Sequence, residues 1–141
     1  MSINFLLDTN VLYELLRPNP NETVLEKFEF HRAEISIASI VWHELLFGCY
    51  RLEISKKRAA IESFLLDVVA PSIPVTPYNQ NAAHWHAQER ARLVSRGQTP
   101  SFANGQIAAV AKVNDLVLVT FNESDFKIFN DLQIQDWRHA Q

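Results

Sequence analysis

Apolar and polar positions follow two periods that take turns along the chain. Ile3-Asn4-Phe5-Leu6-Leu7 reads as a short buried strand, and Asp8-Thr9-Asn10 behind it are suited to capping a helix that runs to about Arg17 and stops at Pro18. Glu22 to His31 carries a helical pattern, Ile35-Ser36-Ile37 is a strand, and Ser39 can cap a helix through about Leu52. Ser55 to about Asp67 is helical, Ile73 to Val75 is a short strand in a proline-rich stretch, and Asn79 to Arg96 is a long helix closed by Gly97. Ser101 caps another helix to Asn114. Leu116-Val117-Leu118-Val119 then forms an apolar strand, and Leu132-Gln133-Ile134 a last edge strand. Strands alternating with helices predict an α/β fold with a mostly parallel central sheet covered on both faces. In such a sheet the site lies in the loops after the strand ends, where the strand order reverses. Asp8 follows the first strand and Asn122 to Asp125 follow the fourth, which makes their carboxylates the first to weigh.

Composition narrows the classes. At 141 residues and 16.2 kDa, with 48% hydrophobic and 21% charged residues, the chain fits a single domain over 1–141 with one buried core. No period of 20 to 50 residues repeats, which sets solenoids aside. The longest apolar run, Ile107 to Ala111, is too short to span a bilayer. The start, Met1-Ser2-Ile3-Asn4, lacks the charged opening and apolar middle of a secretory signal, and the single cysteine, Cys49, agrees with a reducing compartment, so the cytoplasm is expected. The three glycines, Gly48, Gly97 and Gly105, cannot build a dinucleotide loop or a Walker A loop. A net charge of −3 argues against a surface that is basic throughout.

Glu44 is the most telling acidic residue. Its helical neighbours at three and four residues are Ile40, Val41, Phe47 and Gly48, all non-polar, so it is expected to line a cleft. Asp8 can cap its helix and still serve a site, and Asp125 can be a loop and capping residue or a ligand. These carboxylates have no basic partner nearby in sequence and would repel one another if brought together, unless a hard divalent cation neutralised them; Mg²⁺ or Mn²⁺ is the natural candidate. Removing Asp8, Glu44 and Asp125 brings the formal charge from −3 to 0, so the acidic excess sits in this set. Zinc fits poorly, because His43-Glu44-Leu45-Leu46-Phe47 has Phe47 where the second histidine of H-E-x-x-H must stand. His84 and His86 point in different directions on a helix and read as packing or surface residues, and Cys49 as packing. Lys56-Lys57-Arg58 and Arg90, Arg92 and Arg96 are a solvated face or phosphate contacts. An aspartyl-phosphate phosphatase is disfavoured, since no second aspartate stands two residues after Asp8.

Taken together and in order, Leu6-Leu7-Asp8-Thr9-Asn10-Val11-Leu12, Glu44, Ile107-Ala108-Ala109 and Val119-Thr120-Phe121-Asn122-Glu123-Ser124-Asp125-Phe126 resemble the PIN-domain endoribonucleases, most closely the VapC toxins of toxin–antitoxin pairs. The resemblance covers essentially the whole chain. It implies a three-layer α/β/α fold, an acidic cluster holding Mg²⁺ or Mn²⁺, and cleavage of structured RNA such as tRNA or rRNA. It also implies a homodimer and a VapB-type antitoxin whose tail blocks the site. The implied catalytic and metal positions are Asp8, Glu44, Asn104 and Asp125; beside them, Thr120 or Asn122 is a candidate to hold a water or a neighbouring carboxylate. Three residues before Ile107-Ala108-Ala109, where the family carries an aspartate, this chain has Asn104, whose amide brings no charge and cannot act as a base. Asn104 therefore keeps a second expectation open: a non-catalytic PIN-like module that binds RNA or an antitoxin without cutting.

Overall fold

The computed structural model describes residues 2–139. Its centre is a five-stranded sheet of order β3-β2-β1-β4-β5, built from β1 (Phe5–Leu7), β2 (Ile35–Ala38), β3 (Val75–Thr76), β4 (Val117–Val119) and β5 (Ile134–Gln135). Every pairing is parallel. All residues of β1 and β2 are buried, and since successive side chains point to opposite faces, both faces of the sheet are covered. Around it lie α1 (Thr9–Leu15), α2 (Glu22–Phe30), α3 (Ser39–Tyr50), α4 (Lys56–Phe64), α5 (Ala70–Ser72), α6 (Gln80–Ser95), α7 (Phe102–Val113) and α8 (Glu123–Phe126), with α3 and α7 packed on the strands, α4 on α3 and α6 on α7. The chain lays β2 and β3 on one side of β1, then crosses to place β4 and β5 on the other. The strand order thus reverses between β1 and β4, and the residues just past those two strands, Asp8 and Thr120, face one crevice.

Local chemistry explains the boundaries. Asn21, Ser55, Asn79 and Ser101 each accept a backbone N–H at the start of their helices. Gly97 takes φ of 71° after α6, where the Gln98 N–H returns to the Leu93 carbonyl and the Gly97 N–H to that of Val94. Ser39 departs from expectation. It lies inside α3 behind Ala38, which has no capping side chain, and its Oγ accepts the Tyr78 N–H instead, 3.3 Å away. The helix from Ser55 runs further than its pattern predicts, passing through a π-helical turn at Leu65–Val69 that turns Leu65 and Val69 into the core. The two edge strands sit one or two residues later than expected. Pro74 has no N–H, so it contributes only its carbonyl, to Ile37 N–H, and the ladder runs through Val75 and Thr76. β5 is pulled onto Ile134 and Gln135, next to Trp137, which is 1% exposed, stacks on His31 and donates to the Gln135 amide oxygen.

Candidate active site

Asp8 is buried at the end of β1. Its Oδ1 accepts the Thr9 N–H at 2.8 Å, which starts α1, and its Oδ2 accepts the Thr120 hydroxyl at 2.8 Å, which comes from the end of β4. Thr120 Oγ1 in turn accepts the Asn122 N–H, while the Asp8 N–H bonds the Val119 carbonyl. The carboxylate is thereby fixed at the switch point from two strands at once. Burial pushes its pKa above the ordinary range and the charge of Asp125 adds to that, outweighing the opposing bonds from Thr120 and Thr9. Thr120, which the sequence marks with Asn122 as a candidate to hold a water or a neighbouring carboxylate, bonds Asp8 directly.

Asp8, Glu44, Asn104 and Asn122 line one open cleft of about 310 Å³ together with Tyr13. Glu44 is half-buried on α3, as its apolar neighbours predict. Asn104 occupies the first turn of α7, where its N–H is held by the Ser101 hydroxyl at 3.1 Å and its side-chain amide is left free among the described residues. Asp125, on α8, does not line that cleft. It lines the adjoining depression, which shares Asn104, and its charge reaches Asp8. Among the described residues none of Asp8, Glu44 and Asp125 has an ion-pair partner. Nor do three His, Cys, Asp or Glu side chains stand close enough there to form a finished metal cage. The donor set is all oxygen, which suits a hard divalent cation in type, and bare carboxylates repel one another when nothing neutralises them.

Other residues resolve into packing. His86 is buried, its Nδ1 2.8 Å from the Tyr78 hydroxyl and its Nε2 against Gly105, where a Cβ would stand 2.0 Å away. His84 is exposed, and Cys49 is buried with its thiol on the Arg58 carbonyl. Of the arginines on the long helix, Arg92 is structural: it forks onto Glu89 and bonds the Ile128 carbonyl. Glu89, only 6% exposed, was not singled out from the sequence, although a Glu three residues before Arg on a helix is a readable pair. Tyr13 and Asn10 were also missed as cleft residues. Their signal is their spacing: three apart on α1, they share the face that Asp8 opens. No described helix is long and apolar enough to cross a membrane.

Residues 5–131 match the PIN domain family. Over 136 residues the chain is 29% identical to the tRNA(fMet)-specific endonuclease VapC of Shigella flexneri, covering 96% of this chain and 98% of that one. Over 133 residues it is 32% identical to Toxin FitB of Neisseria gonorrhoeae, covering 89% and 96%. Among solved structures, FitAcB from Neisseria gonorrhoeae superposes with a TM-score of 0.88 at 29% identity, covering 96% of this chain and 99% of that one. DNA-bound VapBC from Salmonella typhimurium does so with a TM-score of 0.83 at 27% identity, covering 96% and 98%. A parallel sheet with acidic residues at its switch point, matched along nearly its whole length by such toxins, places this chain in the PIN domain family as a homologue of the VapC and FitB toxins.

Proposed function

We propose that residues 1–141 act as one PIN domain, a cytoplasmic VapC-type endoribonuclease toxin that depends on Mg²⁺ or Mn²⁺ and cleaves structured RNA, with this chain held nearly inactive by Asn104. The observation that carries the reading is the convergence of Asp8, Glu44 and Asn104 on one cleft at the β1–β4 switch point, with the Asp125 charge felt at Asp8. Asp8, Glu44 and Asp125 would hold the cation, with the amide oxygen of Asn104 as a neutral fourth donor. When bound, such an ion supplies Lewis acidity toward a phosphodiester and acidifies water. The chain's own residues do the positioning. Thr120 and the Thr9 N–H fix the two oxygens of Asp8, and Glu44 presents its carboxylate from α3 across the cleft. Asn104 contributes dipole without charge, so the site lacks one negative charge for holding the ion and one carboxylate for taking up a proton. The test is divalent-dependent cleavage of total cellular RNA by this chain and by Asn104→Asp, with EDTA and Asp8→Ala in the Asn104→Asp background as controls. Cleavage by Asn104→Asp that both controls abolish is the expected result; no cleavage sinks the nuclease reading.

A second reading is favoured by Asn104 itself: a PIN domain that binds RNA or antitoxin without cutting. RNA retention by Asn104→Asp with no product formed would select it.

The partner is expected to be a VapB-type antitoxin, in keeping with the FitAB and VapBC complexes of the relatives. A groove of about 220 Å³ between α1, α2 and the π-helical turn, lined by Leu12, Leu16, Leu25, Phe28, Phe64 and Val68, offers an apolar segment of it a seat. An antitoxin arginine could pair with the cleft carboxylates in place of metal. A homodimer is expected as well, and light scattering at tens of micromolar tests it. Of the three tryptophans, Trp137 is a core residue with almost no surface to offer a partner, and Trp42 and Trp85 pack partly against the core.

A further inference from the structure

Arg90 of α6 and Phe102 at the start of α7 pack together, and neither residue has a part in the acidic cleft. Phe102 opens α7, immediately before Ala103 and Asn104, which line the cleft. Its side chain is 51% exposed, a large apolar surface for water to meet. The ring packs on His86, with centroids 4.9 Å apart, and carries the Arg90 guanidinium 5.3 Å from its centroid.

An exposed phenylalanine alone is ordinary, and so is a solvated arginine. Three features set this pair apart. Its support is rigid: His86 is wedged between the Tyr78 hydroxyl and Gly105, so the phenyl ring is held before any ligand arrives. Its charge is uncommitted: Arg92 and Arg138 are each forked onto a carboxylate, whereas Arg90 has no ion-pair partner among the described residues. Its place is the first turn of α7, one residue ahead of Ala103 and Asn104, which line an acidic cleft that repels phosphate unless a cation nearby holds the strand. An aromatic face and a free guanidinium match the two things a single-stranded polynucleotide presents in turn, a base and a phosphate.

We propose that Phe102 and Arg90 form a nucleotide subsite for single-stranded RNA: the Phe102 ring stacks on one unpaired base beside the cleaved bond, and the Arg90 guanidinium holds an adjoining phosphate. The subsite rests on the ribonuclease reading and names how that site grips its substrate. The competing account is that the pair only packs α6 on α7, in which case its loss lowers stability and leaves RNA binding alone.

The test uses the chain as it stands, with Asn104, and a fluorescein-labelled single-stranded RNA about a dozen nucleotides long, of the order of one such site. Binding is followed by anisotropy in Mg²⁺ buffer, and a urea melt checks that each variant folds. Phe102→Ala and Phe102→Leu weaken binding about 5- to 100-fold, while Phe102→Trp stays within about twofold, because stacking needs the π-face rather than bulk. Arg90→Ala flattens the salt dependence by about one phosphate contact, ~0.7 in the log–log slope. Parent-like binding by folded Phe102→Leu overturns the subsite, as does a parent that binds no such RNA at 100-fold molar excess. The two proposals separate in the Asn104→Asp background. Cleavage whose KM does not respond to Phe102→Leu removes the subsite and spares the nuclease; Phe102-dependent binding without cleavage does the reverse.

Discussion

The Thr120 hydroxyl donates to Asp8 Oδ2 at 2.8 Å, joining residues 112 apart in the chain inside a buried pocket. Because that hydroxyl also accepts the Asn122 N–H, it ties the end of β4 to the end of β1 through one oxygen. Thr120→Val keeps the shape and removes both bonds. It should cost about 1–3 kcal/mol, the range for stranding a buried polar group, and raise the Asp8 pKa further. Urea unfolding at pH 7 and carboxyl NMR titration check the two effects; an unchanged Asp8 titration would mean that Thr120 does not orient it.

Asp8 gives the metal-free protein a pH dependence opposite to that of most carboxylates. Its folded pKa is raised by burial and by the Asp125 charge, so the folded state holds the proton more firmly than the unfolded one. Its contribution is fully present below the unfolded value near 3.8 and is lost as pH rises through the raised folded value. Asp8→Asn should therefore be more stable than the parent at pH 7, with the gap closing toward pH 4. Thermal melts of both in EDTA across that range decide it.

Asn104→Asp adds a fourth carboxyl to the neighbourhood of Asp8, Glu44 and Asp125 with almost no change in shape. A unit charge pair at 4 Å is worth about 4 kcal/mol at an effective dielectric of 20, and desolvation returns much of it. A net gain of even about 1.4 kcal/mol tightens divalent binding roughly tenfold. Mn²⁺ titration by calorimetry is the measurement, and equal affinity for both chains would remove Asn104 from the ligand set.

Gly105 is small because His86 lies against it. A Cβ there would stand 2.0 Å from Nε2, so Gly105→Ala must push α6 from α7, at about 1–3 kcal/mol despite alanine's better helix propensity. In a His86→Ala background the same change should become neutral or stabilising. Denaturant midpoints of the four proteins in this cycle give the coupling, and additivity would show that the clash is relieved elsewhere.

Glu89 ties α6 to the segment after α8, accepting the Arg92 fork and the Asn130 N–H at 2.7 Å. The Arg92 bonds hold its carboxyl below the ordinary value, so its stabilisation is present above pH 4.5 and lost as pH falls through the folded value. Glu89→Ala should destabilise the fold near neutrality, since it removes the Arg92 fork and leaves the Asn130 N–H without its acceptor, and do so less at pH 3. Unfolding at the two pH values checks the difference.

The sequence by itself determined the order of elements, the parallel sheet and the acidic positions worth weighing. Those follow from short-range rules: apolar runs in β1 and β2 too continuous for a half-exposed sheet, and Asn21, Ser55, Asn79 and Ser101 at the helix starts. Glu44 was legible for the same reason, because helical spacing alone surrounds it with non-polar neighbours. What only the tertiary structure decided are relationships with no local signal. Ser39 has the composition of a cap, yet Tyr78 claims its hydroxyl from across the chain. Trp137 carries no local sign of burial, yet the chain after β5 closes it over Phe5 and His31. Thr120 and Asp8, His86 and Gly105, and Arg90 and Phe102 are pairs whose members lie on different elements, so no periodicity links them. Their meeting is set by strand order and by the distance at which two helices can pack, which the chain fixes only when it is folded.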